Sequence, residues 1–246
     1  MSQIPEKAEG PMFDAFGRPP VPDLVVPRAI LPFHLAERPV RGRLVRLGPL
    51  ADALLRRHDY QPEIAKLSGE AMALAAGLAA ALKFEGSFSL QAKGDGPLSM
   101  LLADCTHAGA LRGYAKVNQE GFAALQAPSA ATLLGKGYLA FTCDQGPDMD
   151  RYQGIVAIEG ETLTEMTSGY FRNSEQLDTY LKLACEETPA GWRASALLLE
   201  RVAGAGGPKD HEACVAIPVD PRLRRRESSV VVGVDDHDVH LGGRAG

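Results

Sequence analysis

Four cysteines have the clearest potential for metal or redox chemistry, and their spacing favours neither. Cys105, Cys143, Cys185 and Cys214 are far apart, and no two of them form a Cys-x-x-Cys or Cys-x-Cys pair. The sequence therefore lacks the spacing typical of zinc knuckles and thioredoxin-like motifs. The first three lie in or beside apolar stretches, and we expect them to be buried, unreactive thiols that pack as small hydrophobic side chains.

The histidines predict no rigid metal centre. His34, His58 and His107 are scattered and have no acidic or cysteine neighbour at metal-ligand spacing, so we expect surface or loop positions. Residues 236–240 read Asp-His-Asp-Val-His and contain suitable ligands for a divalent metal. No predicted helix or strand holds these side chains in place, so weak binding is the most that this run could give.

Other candidate residues have simpler structural interpretations. Glu70 and Glu85 flank a predicted helix, where burial can shift a carboxylate pKa, although solvation at the helix ends is the simpler expectation. Residues 93–97, Lys-Gly-Asp-Gly-Pro, lack the spacer and the Gly-Lys-Ser/Thr ending of a phosphate-binding loop and predict a tight turn. Neither a Gly-x-Ser-x-Gly nor a His-Glu-x-x-His motif occurs. The sequence assigns no catalytic, cofactor-binding or metal-ligating residue.

Composition narrows the possible functions further. The 246 residues contain 45% hydrophobic and 23% charged residues, in the range of globular proteins, and the net charge is −5. A negative chain is a poor general binder of nucleic acid. No apolar run reaches the length of a membrane-spanning helix, and residues 1–10 do not resemble a signal peptide. We therefore expect a cytoplasmic protein that binds neither nucleic acid nor membrane.

The order of the predicted elements favours an α+β fold. The stretch 62–84 is rich in alanine and leucine, and it is apolar around nearly its whole circumference after Glu70. Such a helix must be buried on several sides. It is preceded by a strand at 40–47 and a short helix at 49–58. The strands predicted after it cover residues 87–92, 98–103, 110–117, 137–143 and 152–158. A helix at 161–172 and a closing hairpin of strands at 179–185 and 192–202 follow them. The grouping of strands around few helices predicts mixed or antiparallel sheets layered around the buried helix, in a single core domain.

Composition also divides the chain into three parts. Residues 1–32 hold seven of the 17 prolines and predict a mobile leader, fixed near residues 30–33. Residues 33–202 form the predicted core domain. Residues 203–246 begin with a glycine-rich linker and have no aromatic residue from position 205 onward. We expect this tail to be disordered, with residues 229–232 as its one candidate strand.

Seven short stretches, taken in order, resemble the heat-shock protein 33 family of redox-regulated holdase chaperones. They are VRGRLV (40–45), LKFEG (82–86), QAKGDGPL (91–98), RGYAKV (112–117), LGKGY (134–138), RYQGIV (151–156) and YFRNSEQL (170–177). Each stretch is weak alone, but seven in one order across residues 33–202 are a specific signal. The resemblance implies an α+β core and an ATP-independent chaperone, not an enzyme, whose partners are unfolding client proteins. A homodimer is left open.

The resemblance also implies a redox switch that this sequence does not match. In the family, a C-terminal module binds zinc through Cys-x-Cys and Cys-x-x-Cys pairs, and oxidation forms disulfides, expels zinc and exposes apolar surface. Neither pair is present here, so no zinc ligand can be assigned and no cofactor is expected in this chain. Composition changes abruptly after residues 207–210. We therefore expect the tail to result from a shifted reading frame or a truncation, which resequencing would test.

Three functions stay open at this point, in a definite order. The first is a holdase core whose redox control is missing or supplied differently, with client-contacting residues that the sequence does not reveal. The second is an enzyme that assembles its site from scattered residues such as Asp95, Lys136 and Arg151. The third is a nonfunctional remnant whose core still folds. A cleft with convergent groups of perturbed pKa would favour the enzyme, and an open apolar surface would favour the chaperone.

Overall fold

One apolar helix lies at the centre of the fold. The computed structural model describes residues 29–35, 38–82, 85–146, 151–173, 179–201, 215–217, 231–234 and 239–242. Within these residues the helices are α1 (Pro49–Leu55), α2 (Pro62–Ala79), α3 (Gln119–Ala123), α4 (Ala130–Leu134) and α5 (Leu163–Asn173). The longest of them, α2, is the central helix that the alanine- and leucine-rich stretch predicts.

Two five-stranded sheets flank this helix. The strands are β1 (Ile30–Leu35), β2 (Val40–Arg46), β3 (Ser87–Gly94), β4 (Leu98–Thr106), β5 (Leu111–Val117), β6 (Gly137–Asp144), β7 (Tyr152–Ala157), β8 (Thr179–Thr188), β9 (Gly191–Arg201), β10 (Val215–Ile217), β11 (Val231–Val234) and β12 (Val239–Gly242). The first sheet has the order β10-β1-β2-β9-β8, and the second has the order β5-β4-β3-β6-β7. Every pairing within them is antiparallel except that of β1 with β10. The predicted α+β class is confirmed.

The central helix contacts both sheets because its side chains are small. Every residue from Ala71 to Ala79 is buried, and α2 contacts β4, β5 and β3 on one side and β9, β8 and β2 on the other. Glycines bring the first sheet closest to the helix axis. A Cβ at Gly77 would lie 2.7 Å from a methyl of Leu198, and a Cβ at Gly69 would overlap the Cys185 sulfur. Side chains of the first sheet thus pack directly on the backbone of α2 at these glycines.

The first sheet joins the two ends of the described core. Strand β2 pairs with β9 along its full length, from Val40 opposite Arg201 to Arg46 opposite Ser195. Glu200 accepts hydrogen bonds from Arg41 Nε at 2.8 Å and from Arg43 at 3.2 Å. The hairpin from β8 to β9 turns at Gly191, whose φ of 94° favours glycine. The predicted closing hairpin is therefore present, and its strand β9 pairs with β2, which in turn pairs with β1.

The helices differ from the predicted ones in several places, and α1 ends at Leu55 instead of residue 58. The central helix ends at Ala79, not near residue 84, because the amides of Ala81 and Leu82 turn back onto carbonyls three residues earlier. Two further short helices, α3 and α4, lie between β5 and β6. The Asn118 side chain accepts from two amides at the start of α3, and Ser129 forms a capping box with Thr132 at the start of α4. These caps stabilise single turns that have no apolar periodicity.

The structure describes most of the predicted core domain but only short parts of the predicted leader and tail. Strand β1 begins at Ile30, so the last residues assigned to the leader belong to the first sheet. The rest of the leader, residues 1–28, lies outside the described residues. In the tail, β10 pairs in parallel with β1, and β11 pairs with β12 as a separate two-stranded sheet. Strand β11 overlaps the predicted strand at 229–232, and the other tail residues are outside the described ranges.

Candidate functional site

The surface of the second sheet that faces away from α2 carries a row of apolar side chains. We call this surface the outer face. Alternation along the strands and the pairing register place Tyr114, Leu102, Gln91, Ala140 and Ile155 in one row across all five strands. Tyr114 is 43% exposed and Ile155 is 57% exposed. The exposed apolar groups of this row are thus Tyr114 and Ile155, whereas Ala140 is buried and Gln91 is polar.

A second row extends this apolar area and adds charge. In the register it contains Lys116, Met100, Lys93, Tyr138 and Ala157. Both lysines are exposed. Tyr114, Tyr138 and Ile155 are three of the five large hydrophobic side chains that are exposed among the described residues. The outer face therefore concentrates the exposed apolar groups of the described chain.

A polar row borders the apolar area on its other side. Asp104 accepts hydrogen bonds from Ser89 Oγ at 2.5 Å and from Arg112 Nε at 2.8 Å. Farther along the same row, Gln153 donates to Thr142 Oγ1 at 2.8 Å. The carboxylate of Asp104 is mostly buried, and its two hydrogen bonds satisfy it there. The apolar area thus has a fixed polar border.

The edge of the outer face at β5 is covered by the loop between α1 and α2. The Tyr60 hydroxyl accepts a hydrogen bond of 2.8 Å from the backbone amide of Ala115 in this edge strand. The His58 ring stacks on Tyr60 with centroids 4.7 Å apart and meets Tyr114 edge-on at 6.2 Å. Burial raises the pKa of the Tyr60 hydroxyl, the hydrogen bond from Ala115 opposes this rise, and Tyr114 adds to it. A neutral hydroxyl therefore occupies one backbone position where another strand could pair.

The three thiols in the described part of the chain do not form a metal or disulfide site. Cys105 and Cys143 both pair with Phe88, one on each side, so their Cα atoms are two strand spacings apart, or roughly 10 Å. This separation is too large for a disulfide without backbone movement. Cys185 lies in the other sheet, beside Gly69. The three described cysteines are free thiols.

Burial makes two of these thiols unreactive, as the sequence predicts. It raises the pKa of Cys105 and of Cys185 to about 12, with smaller contributions from nearby carboxylates. Cys143 is only partly buried, so the expectation of burial holds less well there, although burial again raises its pKa. Cys214 is outside the described residues.

The described residues do not fit the zinc centre that the family resemblance implies. No group of three or more His, Cys, Asp or Glu side chains within them could hold a metal ion. His107 lies in a turn, where its Nδ1 is 3.0 Å from the Gly86 amide, and His34 is in β1. Residues 236–238 of the metal-binding candidate 236–240 are outside the described ranges.

The three residues considered for an enzyme site do not converge. Asp95 Oδ1 accepts a hydrogen bond of 2.7 Å from the Lys136 amide, which fixes the turn after β3. Arg151 instead pairs with Asp144 at 2.8 Å. The register places Gly137 and Asp144 at opposite ends of β6, roughly 23 Å apart. The site imagined from Asp95, Lys136 and Arg151 is therefore wrong.

A cleft at one side of the molecule holds a carboxylate with a raised pKa. The cleft has a volume of about 510 Å³ and lies between α2, α4, α5 and β8. Burial raises the pKa of Glu70, and nearby Lys66 partly opposes this. The sequence suggested that Glu70 lies at a helix end, but it lies in the middle of α2. Glu85 is exposed. The lining residues include no histidine or cysteine. They do include the hydroxyls of Ser129 and Thr162, each of which accepts a hydrogen bond from a backbone amide at the start of a helix.

The fold defines the class of protein before any relative is considered. It is an α+β domain with two antiparallel sheets layered on one buried helix. The outer face of its second sheet has an apolar area with a polar border. Among the described residues, none of the helices combines the length and apolar character that crossing a bilayer requires.

Comparison with known proteins then identifies the family. The profile of the Hsp33 protein family matches residues 29–227, and the chain belongs to this family. The 33 kDa chaperonin of Caulobacter vibrioides is 47% identical over 180 residues, which cover 70% of this chain and 60% of that protein. The 33 kDa chaperonin of Vibrio parahaemolyticus is 40% identical over 174 residues, covering 70% of this chain and 58% of that protein.

A solved structure shows the same fold. The crystal structure of the 33 kDa chaperonin of Thermotoga maritima, a heat shock protein 33 homolog, superposes with a TM-score of 0.62 at 21% identity. The match covers 73% of this chain and 63% of the other. The chain spans about 60% of the length of the curated relatives that it matches.

These comparisons confirm the family resemblance that the seven stretches indicated. The relatives are named as chaperonins and not as enzymes, in agreement with the prediction of a non-enzymatic protein. The apolar outer face is the feature that the sequence did not reveal. Its residues alternate with core residues in the strands, so a strand pattern alone does not say which face is covered.

Proposed function

We propose that this chain is an ATP-independent holdase chaperone that binds unfolding proteins through the outer face. The observation that carries the proposal is the apolar area around Tyr138 and Ile155, which are 36% and 57% exposed. Contiguous exposed apolar area is typical of protein-binding surfaces. Membership in a family whose relatives are named chaperonins supports the same function.

The shape of the outer face suits clients of varied sequence. A sheet presents its side chains on a flat surface, so an apolar segment can bind in several registers without a preformed pocket. Each large side chain buried against it contributes about 1.5–3 kcal/mol. Contacts with several such side chains give useful affinity while leaving sequence specificity low.

We further propose that client binding by this chain requires no oxidation. The two deeply buried thiols have pKa values of about 12 and little thiolate at neutral pH. The described cysteines are also too widely separated to form the cysteine pairs on which the family's redox switch depends. Peroxide therefore has no described thiol pair through which to expose new surface.

We also propose that the protein acts in the cytoplasm. Action in the cytoplasm fits the free thiols at 105, 143 and 185, because thiols persist in reducing compartments. The homodimer and the lack of binding to nucleic acid and membrane stay predictions, which sedimentation and binding assays would check.

A light-scattering assay tests the proposed function directly. The full chain is added to a client enzyme that aggregates on heating, with and without peroxide. Suppression of scattering that is equal in both conditions is the expected result. Suppression that appears only after peroxide would contradict the proposal of oxidation-independent binding, and no suppression in either condition would contradict the holdase function.

Substitution of the outer face links that activity to the surface. Tyr138→Ser combined with Ile155→Ser should raise the chain concentration needed for half suppression by roughly tenfold, because two exposed apolar contacts are lost. Tyr180→Ser is the matched control, since Tyr180 is 48% exposed but lies in the other sheet. Equal effects of the two variants would show that the outer face has no special role.

A further inference from the structure

Charge is distributed unequally over the outer face. At one end, the exposed cations are paired, since Arg112 binds Asp104 at 2.8 Å and Arg151 binds Asp144 at 2.8 Å. At the other end, Lys93 and Lys116 form no ion pair with any acidic residue that the structure describes. The uncompensated positive charge is therefore confined to one border of the apolar area.

The register fixes how these two lysines stand relative to the apolar groups. Met100 pairs with Lys93 on β3 and with Lys116 on β5, so the two Cα atoms lie on either side of it, roughly 10 Å apart. Tyr138 follows Lys93 on the next strand. The acidic residue nearest to Lys93 in sequence is Asp95, whose carboxylate is bound to the Lys136 amide. Glu120 is the nearest to Lys116 and forms no ion pair with it. As far as the described residues go, the two ammonium groups are thus available to a partner that covers Met100 and Tyr138.

We propose that the outer face selects apolar client segments that carry carboxylates beside their apolar residues. This inference rests on the proposed holdase function and adds a preference within it. An apolar segment laid over Met100 and Tyr138 brings its neighbouring side chains to within reach of Lys93 and Lys116. Carboxylates at those positions complete the two ion pairs, whereas lysines there repel the face. Client choice is then biased by charge in a surface that is otherwise tolerant of sequence.

Binding of three defined peptides to the full chain tests this preference. The probes are fluorescently labelled peptides of about a dozen residues, with identical leucine and phenylalanine positions and with Glu, Gln or Lys between them. The Glu peptide should bind roughly three- to tenfold more tightly than the Gln peptide, as expected for two exposed ion pairs, and the Lys peptide should bind most weakly. Raising salt from about 0.1 M to about 1 M, where the screening length falls from about 10 Å to about 3 Å, should remove the difference.

A lysine variant and a control of equal charge locate the effect. Lys93→Gln with Lys116→Gln should bind the Glu and Gln peptides equally, with unchanged thermal unfolding because both side chains are exposed. Lys66→Gln with Lys182→Gln removes the same charge from exposed lysines beside the side cleft and should retain the preference. Equal affinities in the original chain, or a preference that survives in the Lys93/Lys116 variant, would overturn the inference.

The same assay separates failure of the inference from failure of the proposed function. Equal binding of all three peptides, together with suppression of client aggregation, would leave a holdase without charge preference. Failure of every peptide to bind, together with absence of suppression, would reject the holdase function and the preference with it.

Discussion

At the scale of single residues, Tyr60 shows how one hydroxyl protects the edge of a sheet. It lies in the loop before α2 and occupies the Ala115 amide of β5 at 2.8 Å. Open edge strands attract pairing by other chains, which is a particular hazard for a protein that binds unfolding polypeptides. The tyrosine keeps client contact on the face of the sheet and away from this part of its edge.

Tyr60→Phe should therefore weaken the fold and open the edge. Loss of one net hydrogen bond should lower the free energy of unfolding by about 1 kcal/mol, measured by urea denaturation. The Ala115 amide should also exchange its hydrogen faster. Tyr114→Phe is the control, because it removes the hydroxyl of a neighbouring tyrosine that is 43% exposed. Unchanged stability and unchanged exchange in Tyr60→Phe would show that the hydrogen bond does not protect the strand.

At the scale of elements, α2 sets the separation of the two sheets through its small residues. Gly69 permits the Cys185 sulfur to pack directly on the helix backbone, and Gly77 does the same for Leu198. A closely packed interior has little room for additional atoms. The distance between α2 and the first sheet is therefore limited at these two positions.

Gly69→Ala should destabilise the protein although alanine favours helix. Its methyl group would overlap the Cys185 sulfur, and overpacking of this kind costs about 1–3 kcal/mol. Gly169→Ala in α5 is the matched control. Nothing lies within 4 Å of the added methyl there, so it should stabilise the helix by about 0.5–1 kcal/mol. Urea denaturation measures both.

A double substitution checks the cause of the expected loss. Cys185→Ala in the Gly69→Ala background removes the overlapping sulfur, so the two changes together should cost less than the sum of their separate effects. Additive effects of the two changes, or a stabilising effect of Gly69→Ala alone, would contradict the packing explanation.

The elements could largely be predicted from sequence, and the interaction surface could not. The apolar circumference after Glu70 predicted the buried helix, and turn chemistry such as Asp95-Gly96 separated strands that are now seen to pair. Alternation along a strand identifies two faces but not which of them another layer covers, so Tyr138 and Ile155 could not be distinguished from core residues. Pairing across strands was equally hidden, which is why the row joining Lys116, Met100 and Lys93 emerged only from the register.

At the scale of the whole molecule, the two sheets share a single layer of support. Cys105 belongs to the second sheet and Cys185 to the first, and both are 1% exposed. Because α2 contacts both sheets, separation of either sheet exposes the apolar side of that sheet and the side of the helix that it covered. We expect the loss of either layer to unfold the other, so that the sheets open together.

Thiol labelling in the native state tests this coupling. Two variants that retain only Cys105 or only Cys185 should react slowly with a thiol reagent near pH 8. Both should show one opening free energy, equal to the global value from urea denaturation. A variant that retains only Cys143, which is partly buried, should react faster and serves as the control. A much lower opening free energy at one of the two buried thiols would show that its sheet opens independently.

The pairing of β2 with β9 has a consequence for folding during synthesis on the ribosome. Arg41 and Glu200, which form an ion pair across these strands, are 159 residues apart in the sequence. At about 5–20 residues per second, a ribosome would make the second partner roughly 8–30 s after the first. The alanine- and leucine-rich helix is complete early in this interval, while the sheet that covers one of its sides still awaits β8 and β9. During its own synthesis this chain therefore presents the kind of apolar surface that it is proposed to bind in others.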